Sequence, residues 1–355
     1  MDDLKLLREI RNDVGAAPED TLASGRQKLM ARIGADVAGT ANAAKTPRRT
    51  VLRRGFAMTA AAALLVGGIV VAEVVSFGGE PGATAEAAEV LNDAAAATIQ
   101  TSDPVVGPGQ YLKIETTSVY AGGVLLGDDP KGPRRDVEWL DQYSDQLYIP
   151  ADRSQEWIWN REARIPTTFF SEEAKAEAAK YQQSQADNPL RTGELLRAPG
   201  GEFYANLSNG PRLLFAGLPL AEGVKNLPRD PQALLDEIRQ RGKQGRPEAE
   251  TMGDIAAALS TGAIPADLRA ALYKAAALIP GVTVVDKQAN LNGRVGTAIG
   301  IENPIRETRM DIIIDPVTGL LIGEREVRLT AGPTFPAGTA TGWTAVQTSV
   351  VDSTP

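Results

Sequence analysis

The chain of 355 residues contains no cysteine and no histidine. Without cysteine it has no disulfide framework, no thiol nucleophile and no thiolate zinc site. Without histidine it has no Ser-His-Asp triad, no imidazole metal ligand and no side chain that ordinarily titrates near neutrality. The phosphate-loop pattern GxxxxGK[ST] is missing, and Gly122-Gly123-Val-Leu-Leu-Gly127 has neither its lysine nor its spacing. Aspartic-protease DTG or DSG triplets and a Ser-x-x-Lys pair are missing as well. The groups that usually perform acid–base and nucleophilic work are scarce, so a non-enzymatic protein with no metal and no cofactor is expected.

What is present is an ordinary core composition, 43% apolar and 23% charged, in a length that suits one or two domains. Gly55–Ala72 runs for 18 residues without a charge and continues past Glu73 through Val74, Val75 and Phe77. At the rise of an α-helix the uncharged run covers about 27 Å, close to a bilayer hydrocarbon core. Lys45, Arg48, Arg49, Arg53 and Arg54 precede it, and the acidic stretch EVVSFGGEPG follows. The expectation is one transmembrane helix over residues 55–77 in the cell membrane, with the N-terminus cytoplasmic and the rest exported. Because a long segment precedes the run, an uncleaved signal anchor fits better than a cleaved signal peptide, although Ala83-Thr84-Ala85 has the small-x-small form of a cleavage site. Arg53-Arg54-Gly55-Phe56 also resembles a twin-arginine export motif, but Leu52 before it and Ala57 after it favour a simple topology flank.

Charge divides at the same boundary. Residues 1–54 carry a net +4 and residues 76–355 a net −11, with Glu73 completing the total of −8. An acidic exported domain excludes nucleic acid as its partner, since phosphate binding needs a positive surface.

Residues 1–33 read as a helical arm. Leu4, Leu7, Ile10 and Val14 recur at helical spacing, and after the break at Pro18 a second segment carries Leu22, Leu29, Met30 and Ile33. Neither helix can bury its stripe alone, so pairing, the membrane surface or a partner must stabilise it. Residues 34–54 form a basic linker of small residues. This order, a helical arm, one span and an exported domain, resembles that of membrane-anchored anti-sigma factors. Their HxxxCxxC zinc motif has no counterpart here, so the resemblance implies a zinc-free arm that engages a cytoplasmic protein such as a sigma factor through residues 1–33. A basic tail that only fixes topology is the competing reading.

The exported part, residues 84–351, alternates element types. Thr84–Ile99 is expected to be an Ala-rich helix with Val90, Leu91, Ala94, Ala95 and Thr98 on one side. Strands are expected at Gln110–Tyr120, Val137–Ile149 and Glu156–Arg161. Helices are expected at Ser171–Gln185, at Pro231–Arg241 capped by Asp230, at Glu248–Leu259 and at Ala266–Leu278. Strands return at Val282–Asp286, Arg294–Ile301, Arg309–Ile314, Leu320–Leu329 and Trp343–Val351, joined by Asn292-Gly293 and Asp315-Pro316-Val317-Thr318-Gly319 turns. Connections this short make antiparallel pairs. The fold class is therefore α+β, with a curved antiparallel sheet assembled from both ends of the domain and helices on one face.

The stretches ALYKAAALIPGVTVVDKQANLNGRVGTAIGI and MDIIIDPVTGLLIGEREV, with the opening MDDLKLLREIRNDV and the Arg-flanked span, resemble a family of single-pass actinobacterial membrane proteins of unknown activity. Strand, DPxTG turn, strand is similar, more loosely, to the half-barrel of lipoprotein carriers and envelope-stress sensors. That likeness implies a half-barrel that shelters an apolar ligand.

Trp157 and Trp159 flank Ile158 and so share a strand face, and Trp139 and Tyr143 are expected to line a neighbouring one. These four aromatics are the candidate ligand-face residues; burial in the core is the competing reading. Asp311 and Asp315 lie about 13 Å apart along a strand, too far to share a proton, and read as a strand edge and a turn residue. Two functions follow: a membrane-anchored sensor or regulator with an exported ligand-binding domain, or an anchored carrier of lipid or lipoprotein in the cell envelope.

Overall fold

The two ends of the described domain meet in the middle of one sheet. In the computed structural model, which describes residues 82–101, 103–127, 135–203, 213–215 and 217–355, the strand order is β5-β3-β2-β1-β12-β11-β10-β9-β8. Their ranges are β1 (Tyr111–Leu126), β2 (Arg135–Pro150), β3 (Glu156–Arg161), β4 (Ile165–Phe169), β5 (Glu194–Pro199), β8 (Thr283–Leu291), β9 (Arg294–Asn303), β10 (Thr308–Ile314), β11 (Leu321–Arg328) and β12 (Ala340–Val351). β4 pairs separately with β2, and a small second sheet joins β6 (Leu213–Phe215) to β7 (Leu218–Pro219). Every pairing is antiparallel, and β1 with β12 closes the sheet from Tyr111↔Val351 to Tyr120↔Gly342. The expected α+β class and the assembly from both ends are what the structure has.

The helices are α1 (Ala85–Thr101), α2 (Glu172–Ser184), α3 (Pro189–Thr192), α4 (Leu220–Asn226), α5 (Pro231–Arg241), α6 (Glu248–Ser260) and α7 (Ala266–Ala277). Capping sets their starts. Ser171 accepts from the Ala174 amide at 3.0 Å, so it is the cap of α2 instead of its first residue. Asp230 accepts from Ala233 at 2.9 Å with Pro231 behind it, as expected for α5. α7 has only Pro265 at its own start, and its Ala266 amide is satisfied by Asp103, from the segment after α1, at 2.7 Å.

α7 is buried around most of its circumference, with Leu268, Leu272, Tyr273, Ala275 and Ala276 fully covered and Asp267 and Lys274 exposed on the remaining side. It packs against α1, α5 and α6, and α6 rests on β9 to β12. The sheet answers with Leu112, Ile114, Leu147, Ile149, Ile299, Ile312 and Val346, all on one face and all in the main core. The opposite face holds two smaller clusters. Ala298, Ile313, Ile322 and Leu291 form one; Val119, Leu140 and Phe335, from the β11–β12 loop, form the other. Leu291 Cδ2 lies 2.5 Å from where a Cβ on Gly323 would be, so the end of β8 folds over to β11 and the sheet coils strongly there.

Residues 74–355 form one compact unit, described from Gly82 onward. Among the described residues no helix is long and apolar enough to cross a membrane. The arm, the linker, the 55–77 span and Arg48, Arg49, Arg53 and Arg54 lie outside them. The start of the described chain is tied down: Ala83 donates to Ala277 O at 3.1 Å and Thr84 to Val282 O at 2.9 Å. A cut after Ala85 would remove both bonds and fall at the first residue of α1.

Candidate functional site: an arginine-edged cavity at the end of the sheet

The four aromatics singled out in the sequence share the helix face, because β2 pairs with β3 at Leu147↔Trp159 and Leu147 belongs to the main core. They do not converge on one cavity. Trp139 is wholly buried; its indole N–H donates to Asp141 at 2.7 Å, and Arg191 donates to the same carboxylate at 2.6 Å. Arg191 in turn lies over Tyr181, which also meets the Trp139 ring at 5.8 Å. This cluster explains Gly122: a Cβ there would lie 2.6 Å from the Asp141 carboxylate. Trp159 packs on Phe203 at 5.4 Å. Trp157 is buried and its N–H donates to the carbonyl of Arg153 at 2.8 Å, so it positions the β2–β3 loop.

Tyr143 belongs to a polar rung. It is the cross-strand partner of Ser118, Ser118 of Thr344, and Thr344 of Glu324, so all four project on the helix face of β2, β1, β12 and β11. Ser118 and Thr344 share a hydrogen bond at 3.1 Å and Tyr120 and Thr344 one at 2.7 Å. Tyr143 stacks on Tyr120 at 6.3 Å, with Arg164 over its ring at 4.5 Å. Burial pushes the Tyr120 hydroxyl up to about 12 and the Glu324 carboxyl up to about 7, the latter opposed by the nearby Ser260 hydroxyl. Glu324 opens on a pocket of about 290 Å³ that Tyr120, Gly342 and Glu326 also line.

Asp311 corrects the strand-edge reading. β10 is an interior strand, and Asp311 is wholly buried on the face away from the helices, where Arg309 at 2.6 Å and Arg325 at 2.9 Å neutralise it. Gly300 opposite leaves it room. Asp315 is a turn residue as expected, accepting from Val317 at 2.8 Å. Among the described residues no group of three or more acids is placed to hold a metal ion.

A cavity of about 590 Å³ lies away from the four candidate aromatics. Its walls come from the segment after α1 (Asp103, Pro104), from β1 (Leu112), from the α6–α7 loop (Gly262, Ala263, Ile264), from the β10–β11 turn (Asp315, Thr318, Leu320) and from Leu321, Val346 and Thr348. Most of the wall is apolar. Three guanidinium groups edge it: Arg153, Arg269 and Arg294. Arg269 is buried and spoken for, donating to Asp103 at 2.6 Å, to Ile264 O at 3.2 Å and to Thr98. Arg153 donates to Ala263 O at 3.0 Å and Arg294 to Val346 O at 2.8 Å. Burial holds the Arg153 guanidinium below its ordinary pKa, with the Asp103 charge opposing. Gly262 has φ +63°, and a Cβ there would meet the Ile114 side chain at 2.8 Å, so the loop that forms one wall needs glycine.

No protein-family model matches the chain, and no curated protein matches it either. The resemblance to an actinobacterial membrane family and to anti-sigma factors therefore rests on the sequence motifs alone. Among solved structures, a DUF1329 family protein from Desulfovibrio piger aligns over 74% of this chain and 92% of its own at 8% identity, with a TM-score of 0.16. A likeness so slight carries no argument about function.

Two signals for the cavity were present in the sequence without marking it. Arg294 follows the Asn292-Gly293 turn directly, and the DPxTG turn supplies Asp315 and Thr318. Arg153 and the α6–α7 loop carry no motif at all.

Proposed function

We propose that the described domain is a non-enzymatic binding domain that shelters an apolar ligand in the cavity between the α6–α7 loop and the β10–β11 turn. In the same reading residues 55–77 anchor it, the domain lies outside the cell membrane, and residues 1–33 pass the bound state to a cytoplasmic protein such as a sigma factor. One observation carries the binding half. The cavity of about 590 Å³ has mainly apolar walls, and that size and lining are those of a small-molecule site. The scarcity of catalytic groups supports a binding role over an enzymatic one.

The test is native mass spectrometry of the full chain, gently extracted from its host membrane. One ligand of a few hundred daltons per chain is expected, and Leu320→Trp, which fills the cavity, is expected to lose it. A chain that is empty with and without the substitution contradicts the reading. If the bound ligand passes between vesicles in the presence of the protein, the role is that of a carrier and not a sensor.

A further inference from the structure

The cavity's charge says more than its size. Residues 76–355 carry a net −11, and most described arginines lie within salt-bridge distance of a carboxylate. Arg153 and Arg294 do not: among the described residues each has a backbone carbonyl as its partner and no carboxylate within 4.0 Å. Both edge the same cavity. The acids nearest to hand are engaged elsewhere. Asp103 is held by Arg269 and the Ala266 amide, and Asp315 by the amides of its own turn. Arg153 is exposed and Arg294 half-buried, so each keeps guanidinium N–H donors at the cavity edge that an incoming oxyanion can accept from.

From this juxtaposition, and resting on the reading of the cavity as a ligand site, we infer that the ligand is a single-chain amphiphile. Its oxyanion head, a carboxylate or a phosphate, is held by Arg153 and Arg294, and its apolar chain lies on Leu112, Ile264, Leu321 and Val346. The arginine fork suits either oxyanion, since both offer two acceptor oxygens in a plane. Trp157 serves the head indirectly by fixing the Arg153 carbonyl, which makes it a positioning residue.

The experiment measures binding of four probes to the delipidated full chain: palmitate, hexadecyl phosphate, hexadecanol and inorganic phosphate. Palmitate and hexadecyl phosphate are expected to bind with one site per chain and at least ten-fold more tightly than hexadecanol. Inorganic phosphate is expected to bind at least a hundred-fold more weakly than hexadecyl phosphate. In the double variant Arg153→Gln, Arg294→Gln the preference for the charged head is expected to fall to within about two-fold, with hexadecanol binding unchanged as the sign that the cavity is intact. Arg294→Lys, which keeps the charge, is expected to retain most of the preference. Equal binding of hexadecanol and palmitate to the unaltered chain overturns this inference and leaves the binding domain standing. Inorganic phosphate binding as tightly as hexadecyl phosphate overturns the amphiphile. Failure of all three chain-bearing probes overturns the binding domain itself.

Discussion

Glu324 sits on a sheet rung whose other polar members, Tyr143, Ser118 and Thr344, are hydroxyls, and among the described residues no cation lies within 4.0 Å of it. Burial, with no cation beside it to offset the cost, raises its carboxyl to about 7 from an ordinary 4.5. The direction fixes the sign of its effect. Between those two values the folded protein keeps a proton that the unfolded chain has lost, so the contribution to stability is complete below about 4.5 and is lost as pH rises through about 7. Glu324→Gln is expected to stabilise the fold at pH 8, by on the order of 2 kcal/mol after allowance for partial exposure, and to change little at pH 4. Thermal melts of both forms at the two pH values check this; an equal shift at both would show that the carboxylate charge is not the cause.

Tyr273 makes the complementary point. It is wholly buried in α7, burial drives its pKa well up, and its hydroxyl has no hydrogen-bond partner among the described residues. A buried polar group without a partner costs stability, so Tyr273→Phe is expected to be neutral or to stabilise by about 1 kcal/mol. A loss of more than that in a denaturant titration would mean that the hydroxyl has a partner after all.

At the scale of elements, the β10–β11 turn is the clearest case of a motif with two reasons. Asp315 supplies the turn's hydrogen bonds, and Gly319 takes φ +66° while packing against α1, where a Cβ would lie 2.2 Å from the Ala94 carbonyl. Thr101, in the last turn of α1, donates to Thr318 O at 3.1 Å and closes the contact. Gly319→Ala combines an unfavourable backbone with a clash against backbone, and is expected to destabilise by about 2–4 kcal/mol. Urea unfolding of the variant measures it; a loss under about 1 kcal/mol would mean that the turn can move away from α1.

Elements with a local cause were legible. α5 has its cap and its Pro, the hairpin of β8 and β9 has Asn-Gly, and of the expected apolar side of α1 Leu91, Ala94, Ala95 and Thr98 are buried and Val90 partly so. β4 and β5 were not legible, because β4 carries Pro166 near its start and β5 places Leu195 outward and Leu196 inward, which erases the alternation. Trp139 and Trp157 carried a true signal, burial on one face, but that signal belongs equally to a core and to a ligand surface. The cavity is lined by residues between Asp103 and Thr348. No window of sequence contains it, and only the closure of β1 on β12 brings its walls together.

For the whole molecule, the sequence divides charge between a basic arm and an acidic domain, and the cavity of about 590 Å³ runs against that trend by gathering arginines at an apolar wall. An acidic surface repels anions at long range, so recognition of an anionic amphiphile would depend on short-range contacts in the cavity and weaken only modestly with added salt. The most direct measurement is photo-crosslinking of the full chain with a chain-labelled, photoactivatable fatty acid, followed by mapping of the modified peptides. Adducts are expected at residues 259–265, 318–321 and 346–348, competed by unlabelled palmitate. Adducts confined to residues 55–77, or spread along the chain without competition, would contradict the account.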